Sequence, residues 1–319
     1  MKRKPFIFNA AGYLFIVAVL TFIGGSTFAQ VGKLQNIKQL TNGNERYSNP
    51  VWAPDGKKFI YTGEDLSGLF YSDEKGIIKK TLTTDKGAGF EYKWAADGAS
   101  VLYRGTTTDG TRQYVALVGI NGHKVIVSDM YTRIQPPHWN YNTGKARPFY
   151  LENDKKPVLA SVKNVNSLAV SAIEKIENSN QYPVYIDEKL YLTDATGKLT
   201  LIHNAPAYNI AISPDGKKIA FNENDVLMVM NFDGSAKKQL GYGHKPTWKN
   251  NYQLIYQITT DDGYFYTSGD LFIINIDGSN KVNITNTSDK IEMNPNCASD
   301  GKKLLFIEHK SGQLFSASL

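Results

Sequence analysis

Histidine and cysteine are the residues of this sequence best able to do acid–base, nucleophilic or metal chemistry, and both are scarce. The histidines are His123, His138, His203, His244 and His309. No two of them form the H-x-x-x-H or H-E-x-x-H pattern, in which two imidazoles on one helix face hold zinc. Zinc bound through local spacing is therefore excluded, and only a site assembled from distant segments remains open.

The sequence also gives little indication of a catalytic serine or of catalytic carboxylates. The chain contains no G-x-S-x-G sequence, so the serine elbow of the α/β-hydrolases is absent. The acidic pairs at residues 64–65, 73–74 and 261–262 fall in predicted turns, where solvated loops are the default interpretation. We therefore predict no catalytic residue, no metal and no cofactor, and we favour a protein that is not an enzyme.

The amino terminus resembles an export signal. Three cations at residues 2–4 precede an uninterrupted apolar run over residues 10–23, and small side chains at Thr27 and Ala29 precede Gln30. The apolar run is shorter than the roughly 20 residues that span a bilayer, although an uncleaved anchor is the alternative. We expect a signal peptide over residues 1–29, no stable membrane insertion after cleavage, and a mature domain over 30–319 in the periplasm or outside the cell.

Composition excludes a nucleic-acid partner. The whole chain has 36 Lys and Arg against 30 Asp and Glu, and the leader holds three of those cations and no acid. No basic cluster interleaved with aromatic residues is present. With a single cysteine, the exported domain has no internal disulfide and depends on its core.

A repeated unit organises the rest of the chain. It reads WAPDGKKFIY from residue 52, WAADGASVLY from 94, ISPDGKKIAF from 212 and CASDGKKLLF from 297, with weaker copies from 139 and 248. The first positions of these copies, called the repeat anchors below, are Trp52, Trp94, Trp139, Ile212, Trp248 and Cys297. Every tryptophan of the chain is an anchor, which predicts packing between repeats rather than a carbohydrate platform, and Cys297 is expected to be an inert core thiol.

The PDGKK stretch itself could be taken for a phosphate or cation loop. Its recurrence, with apolar strands on both sides and no following helix, instead predicts hairpin turns in which Asp and Gly supply the required backbone angles. The NFDGS and NIDGS sequences lack the spaced acids of a calcium loop and are also predicted turns.

The anchor spacing predicts an all-β, six-bladed β-propeller. Most gaps between anchors are close to the 40–50 residues of a four-stranded blade, and the long gap after Trp139 is interpreted as an insertion at about residues 158–187 in blade 3, with a short helix around 168–176. The last repeat lacks its outer strand, whereas residues 34–42 match outer strands and precede the first anchor. We therefore expect this amino-terminal segment to pair beside residues 313–319 and close the ring.

The repeat, P-x-W-[SA]-P-D-G-K-K followed by LFIINIDGSNKVNIT, resembles that of TolB-type propellers, which are six-bladed periplasmic proteins of Gram-negative envelopes. The resemblance covers essentially the whole predicted mature domain. It implies the fold and an envelope location. TolB itself has an additional α/β domain before its propeller, which this sequence lacks, so the resemblance does not extend to TolB's own role.

The predicted binding site lies at the mouth of the axial channel. Three residues before the anchors stand Asn49, Glu91, Pro136, Asn209, Lys245 and Asn294, and all but one are polar in a strand that should be interior. With Arg46 and His244 nearby, the polar five form the candidate ring, although a water-filled channel needs polar lining in any case. We expect the ring to bind an envelope protein or peptide. The alternative is a carbohydrate-binding or carbohydrate-active propeller of the lyase or glycosidase type.

Overall fold

The chain folds into seven consecutive antiparallel sheets. The computed structural model describes residues 33–140, 147–153, 156–160, 181–194, 196 and 198–319. Within these ranges five sheets have four strands and two have three. The protein is therefore a β-propeller of seven blades, and the predicted number of six is wrong.

The four-stranded blades follow the repeat. Blade 1 comprises β2 (Tyr47–Trp52), β3 (Lys58–Gly63), β4 (Leu69–Asp73) and β5 (Lys79–Thr83). Blade 2 comprises β6 (Lys93–Trp94), β7 (Ser100–Thr106), β8 (Gln113–Gly119) and β9 (Lys124–Ile126). Blade 5 comprises β16 (Tyr208–Ile212), β17 (Lys218–Glu223), β18 (Val226–Asn231) and β19 (Lys238–Tyr242). Blade 6 comprises β20 (His244–Asn250), β21 (Gln253–Asp261), β22 (Tyr266–Asn275) and β23 (Val282–Asn283).

Blade 7 joins the two ends of the described chain. It comprises β24 (Glu292–Cys297), β25 (Lys303–Glu308), β26 (Gln313–Ser318) and the amino-terminal β1 (Gln35–Gln39). In the β1–β26 pairing, Gln35 lies opposite Ser318 and Gln39 opposite Phe315. The predicted closure of the ring is confirmed.

Blades 3 and 4 account for the extra sheet. Blade 3 comprises β10 (His138–Asn140), β11 (Arg147–Glu152) and β12 (Lys156–Leu159), and blade 4 comprises β13 (Gln181–Ile186), β14 (Lys189–Asp194) and β15 (Leu199–His203). Only four residues separate β15 from the first strand of blade 5, so β15 is the last strand of blade 4, and β13 is the innermost of the strands described in that blade. Within the predicted insertion, residues 158–187, residues 158–159 belong to β12 of blade 3 and residues 181–186 to β13 of blade 4. The predicted helix lies outside the described residues.

The sequence of blade 4 explains why it was not counted. Its β13–β14 hairpin turns through Asp187 and Glu188, whose φ angles are 48° and 60°, without any glycine. Two successive left-handed residues make the hairpin turn whose twist matches that of the strands. This blade therefore forms without an Asp-Gly turn or a tryptophan anchor. The prediction of six blades depended on those two features.

The Asp-Gly segments are turns, as predicted. In blade 1 the Asp55 carboxylate accepts a hydrogen bond from the Lys57 N–H at 2.9 Å, Gly56 has a φ of 62°, and the Ala53 N–H donates to the Lys58 carbonyl at 2.8 Å. The same pattern recurs around Asp97, Asp215 and Asp300. In the NFDGS turn, Asp233 accepts from the N–H and hydroxyl of Ser235. The aspartates are occupied within their own turns.

The tryptophan anchors join neighbouring blades. All four are between 5% and 9% exposed. Three donate the indole N–H to the carbonyl just before the preceding blade's anchor: Trp94 to Val51 (3.2 Å), Trp139 to Lys93 (3.2 Å) and Trp248 to Ala211 (3.1 Å). The Trp52 indole N–H is buried and has no hydrogen-bond partner among the described residues. Trp52, Trp94 and Trp248 contact the cavity wall, but these low exposures leave little of each ring open to a ligand.

Apolar clusters continue this packing around the ring. One cluster combines side chains of blades 1 and 2, another blades 7 and 1, and others blades 2 and 3, 3 and 4, 4 and 5, and 5 and 6. Because each cluster is shared by two blades, each blade is stabilised by its neighbours. The result is a rigid frame around a central channel.

Candidate binding site in the central channel

The axial channel holds a cavity of about 1280 Å³. It is lined by the first strands of blades 1, 2, 3, 5, 6 and 7, by β13 of blade 4, by parts of β7 and β8, and by the segment that connects blade 2 to β10. This volume exceeds the roughly 300–1,000 Å³ of most small-molecule sites. The cavity therefore has room for a segment of a polymer.

The five polar residues of the predicted ring all line this cavity. Each has a left-handed backbone, with φ angles of 43° at Asn49, 52° at Glu91 and 53° at Asn209, Lys245 and Asn294. Asparagine tolerates this conformation better than most residues. Three of the five are asparagines, so the polar pattern in the sequence partly reflects a bend of the strand. The end of the channel that they surround is called the mouth below.

The three asparagines use their side chains within the protein. Asn49 donates its amide to the Gly89 carbonyl at 3.3 Å and Asn294 donates to Ser48 Oγ at 3.2 Å. Asn209 donates to Asn222 Oδ1 at 3.1 Å. These bonds connect the strand starts to neighbouring segments. The asparagine amides thus stabilise the mouth through hydrogen bonds within the protein, which leaves fewer donors for a ligand.

Glu91 and Lys245 differ from the asparagines. Neither side chain makes a hydrogen bond, or an ion pair within 4.0 Å, with any described residue, and both are exposed to the channel. The surrounding ring limits the water around Lys245, so desolvation lowers the pKa of its ammonium, and the negative charge of Glu91 partly offsets that decrease. Of the five polar residues in the ring, only the two charged ones therefore lack a hydrogen-bond or ion-pair partner among the described residues.

Arg46 and His244 lie outside the cavity lining. Arg46 donates from Nε and Nη2 to the two carboxylate oxygens of Glu64 at 2.6 and 2.8 Å, and to the carbonyls of His309 and Lys310. His244 lies 3.8 Å from Asp225, and desolvation lowers its pKa. The structure does not bring these two predicted residues to the ring, and Arg46 has a structural role in joining blades 1 and 7.

Sequence reasoning missed the other charged residues of the cavity. Lys93, Arg104 and Arg133 line it together with Glu91 and Lys245. Arg104 donates to the Ile134 carbonyl at 2.7 Å, and its guanidinium carbon lies 4.8 Å from the centroid of the Phe90 ring. Arg104 belongs to a second strand and Arg133 to a connection, so the anchor register gave no signal for either.

Two nucleophile or base candidates in the lining are unsuited to catalysis. Burial lowers the pKa of His138 to about 3, with a further contribution from the positive charge of Lys93, so the imidazole is neutral at physiological pH. Desolvation raises the pKa of the Cys297 thiol to about 12. Cys297 is half-buried at the cavity wall, not deep in the core as the sequence suggested, and it remains protonated. Neither the Cys297 thiol nor the His138 imidazole is therefore activated.

Carboxylates are also scarce in the lining. Glu91 is the only acidic residue among the described residues of the cavity wall, whereas most glycosidases use a pair. No three His, Cys, Asp or Glu side chains of the described ranges are grouped so as to hold a metal ion.

A second hollow of about 600 Å³ lies beside the mouth. It is formed by the long β21–β22 hairpin, which reaches over blade 7 towards Arg46 and Glu64 of blade 1. The Tyr266 ring meets the His309 ring edge-on at 5.2 Å. Tyr264 and Phe265 at the tip are 89% and 77% exposed. The hairpin therefore displays two aromatic side chains beside the channel.

The fold and this channel define the protein as a β-propeller with a wide axial cavity. Solved structures similar to it include a protein assigned as TolB from Agrobacterium tumefaciens, with 13% identity over 89% of this chain and 96% of that one, at a TM-score of 0.52. A gluconolactonase from Xanthomonas campestris shares 12% identity over 89% of each chain, also at a TM-score of 0.52. At such identities the likeness shows the fold alone.

TolB from Acinetobacter baumannii is a further structural neighbour, with 13% identity and a TM-score of 0.49. The match covers 88% of this chain and 56% of that protein, so this chain spans just over half of its length. The sequence matches no known family model and no curated protein. Among the described residues, no helix has the length and hydrophobicity needed to cross a bilayer.

Proposed function

We propose that this protein is an exported, non-enzymatic propeller that binds a protein or peptide of the cell envelope at the channel mouth. The observation that carries the proposal is a set of exposed aromatic side chains around that end of the ring. They are Phe90, Tyr208, Tyr242, Tyr264, Phe265 and Tyr266. Aromatic residues are enriched in protein interfaces, where they contribute much of the binding energy.

Some of these aromatic residues line the cavity, and others lie near the long β21–β22 hairpin. Phe90 and Tyr208 line it and immediately precede Glu91 and Asn209 of the ring. The Tyr242 hydroxyl donates to the Thr259 carbonyl at 2.9 Å, near the start of the long hairpin tip. A partner that covers the mouth would therefore meet aromatic surface at its rim while one of its segments enters the channel.

The chemistry of the wall supports binding without catalysis. A hydrolase or lyase needs an activated base or a pair of acids, whereas the described lining offers one carboxylate, a neutral imidazole and a protonated thiol. A rigid ring that carries loops of different lengths at one end is, in contrast, a scaffold suited to recognition.

Photo-crosslinking tests the proposal. A photoreactive phenylalanine analogue in place of Tyr264 or Tyr208 is expected to give a discrete protein adduct when the full chain is irradiated in its native envelope. Tyr252, which is 70% exposed in the β20–β21 turn at the other end of the channel, is the matched control. No protein adduct from the mouth positions, or equal adducts from Tyr252, would contradict the proposal.

Export is tested separately by the mass of the mature chain. We expect the protein recovered from the cell envelope to begin at Gln30, because Thr27 and Ala29 place small side chains at the two positions that a signal peptidase inspects. Intact-mass spectrometry of the purified protein measures this directly. A chain that retains residues 1–29 would contradict cleavage and favour the membrane anchor.

A further inference from the structure

The charged residues of the cavity wall indicate which class of ligand the cavity binds. Four cations, Lys93, Arg104, Arg133 and Lys245, line the cavity, and Glu91 is the single carboxylate among the described residues of its wall. The whole chain, in contrast, has 36 basic against 30 acidic residues, so the excess in the cavity is local. Low-dielectric walls focus the field of such a cluster into the cleft. The cavity therefore attracts anions.

We propose that the channel selects an acidic peptide segment of the partner, with Lys245 on one side and the Arg104–Arg133 pair on the other as its carboxylate-binding groups. This inference rests on the proposed function and specifies the chemistry of the segment that enters the channel. Glu91 opposes such a segment and limits its affinity.

Lys245 is the first reason for a carboxylate ligand. Its ammonium has no hydrogen-bond or ion-pair partner among the described residues, although protein surrounds it, and it occupies a left-handed position that a lysine rarely adopts. An ammonium with limited hydration gains most from a charged acceptor. A ligand carboxylate would supply that acceptor where the protein supplies none.

The second reason is the placement of the arginines. The contact with Phe90 and the hydrogen bond to the Ile134 carbonyl hold the guanidinium of Arg104 in position, which reduces the entropy that a ligand contact would cost. Arg133 precedes Ile134 in the same connection. Blade 6, which bears Lys245, is not adjacent to blades 2 and 3 on either side of the ring. A ligand that contacts both groups bridges blades that are not neighbours, so we expect it to carry at least two acids.

A peptide fits this wall better than an acidic oligosaccharide. The tryptophan faces would stack best on sugar rings, but all four tryptophans are between 5% and 9% exposed, so even the three that line the cavity offer it little ring surface. The lining instead includes Val51, Ile210, Ile212 and several prolines, which suit apolar side chains between the acids. The prolines also remove N–H groups from the free strand edges, so we expect recognition through side chains rather than by addition of a strand.

Fluorescence anisotropy with defined probes tests the inference. The probes are a ten-residue labelled peptide with four Glu and Asp among Val, Leu and Ala, the same peptide with Gln and Asn at those positions, and a labelled oligogalacturonide. The protein is the full mature chain. We expect the acidic peptide to bind at least tenfold more tightly than its amide analogue, with an affinity that decreases as salt increases.

Variants assign this preference to the cavity. Lys245→Gln is expected to weaken binding of the acidic peptide about tenfold, Lys245→Arg to retain most of it, and Glu91→Gln to strengthen it about threefold. Lys302→Gln, which removes an exposed cation from the β24–β25 turn outside the cavity lining, is the control and should change nothing. Circular dichroism melts verify that each variant is folded.

The outcomes separate this inference from the proposed function. Equal affinity for the acidic and amide peptides, an equal effect of Lys245→Gln and Lys302→Gln, or tighter binding of the oligogalacturonide would overturn the acidic-peptide inference. Protein adducts at Tyr264 would still stand in the first two cases and would leave the proposed function intact. Failure of the crosslinking itself would remove both.

Discussion

A chain that begins at Asn42, and therefore lacks β1, is expected to lose about 3–6 kcal/mol of unfolding free energy. The strand is held at both ends, because Leu34 and Leu40 are buried while the five residues of β1 are exposed. Full burial of a leucine contributes about 1.5–3 kcal/mol. The Leu40 N–H donates to the Leu314 carbonyl at 2.8 Å, and the Leu314 N–H donates to Thr41 Oγ1 at 2.9 Å. The loss approaches the whole stability of a typical domain, about 5–15 kcal/mol.

Urea unfolding followed by tryptophan fluorescence measures this loss, and light scattering reports aggregation through the freed edge of β26. A chain that begins at Lys33 and retains β1 is the control. Addition of a synthetic peptide with the sequence KLQNIKQLT, residues 33–41, should restore stability in proportion to its concentration. An unchanged urea midpoint in the chain without β1 would contradict the closure argument.

Replacement of Trp248 by Ala is expected to cost about 3–5 kcal/mol, because the indole fills the space between blades 5 and 6. Trp248→Phe keeps most of this volume and removes only the hydrogen bond to the Ala211 carbonyl, with an expected cost of about 1–2 kcal/mol. Trp52→Phe should cost less than Trp248→Phe, since the Trp52 indole N–H has no partner among the described residues and its removal leaves no acceptor without a donor.

The same unfolding measurement ranks these variants. Tyr252→Ala, at a position that is 70% exposed, is the control and should lie within about 0.5 kcal/mol of the wild type. If Trp52→Phe destabilised the protein as much as Trp248→Phe, the hydrogen bond from the indole to the preceding blade would carry no measurable stability. The tryptophan anchors would then stabilise the fold only by filling space between blades.

Sequence reasoning predicted the parts of the fold that depend on local chemistry. The Asp-Gly turns follow from backbone angles that few residues adopt, and the closing strand follows from a pattern of residues shared with other outer strands. Blade 4 escaped the prediction because Asp187 and Glu188 make its hairpin without glycine and no tryptophan marks it. Many different residue combinations can form such a hairpin. A single sequence therefore gives little indication that one is present.

The candidate site was only partly predictable. The register of the anchors identified five residues that line the mouth, among them Glu91 and Lys245. The same register could not show that left-handed backbone favours asparagine at three of those positions. It also gave no indication of Arg104 and Arg133, because a second strand and a connection bring them to the channel from outside the repeated pattern.

By itself, the sequence determined that this protein is built from repeated β-hairpins closed head to tail, since turn residues and strand periodicity act over a few positions and are visible in the chain. Only the tertiary structure decided the number of blades and the basic character of the channel. Those properties depend on which distant segments meet around an axis, and that arrangement results from packing between blades rather than from any local pattern of residues.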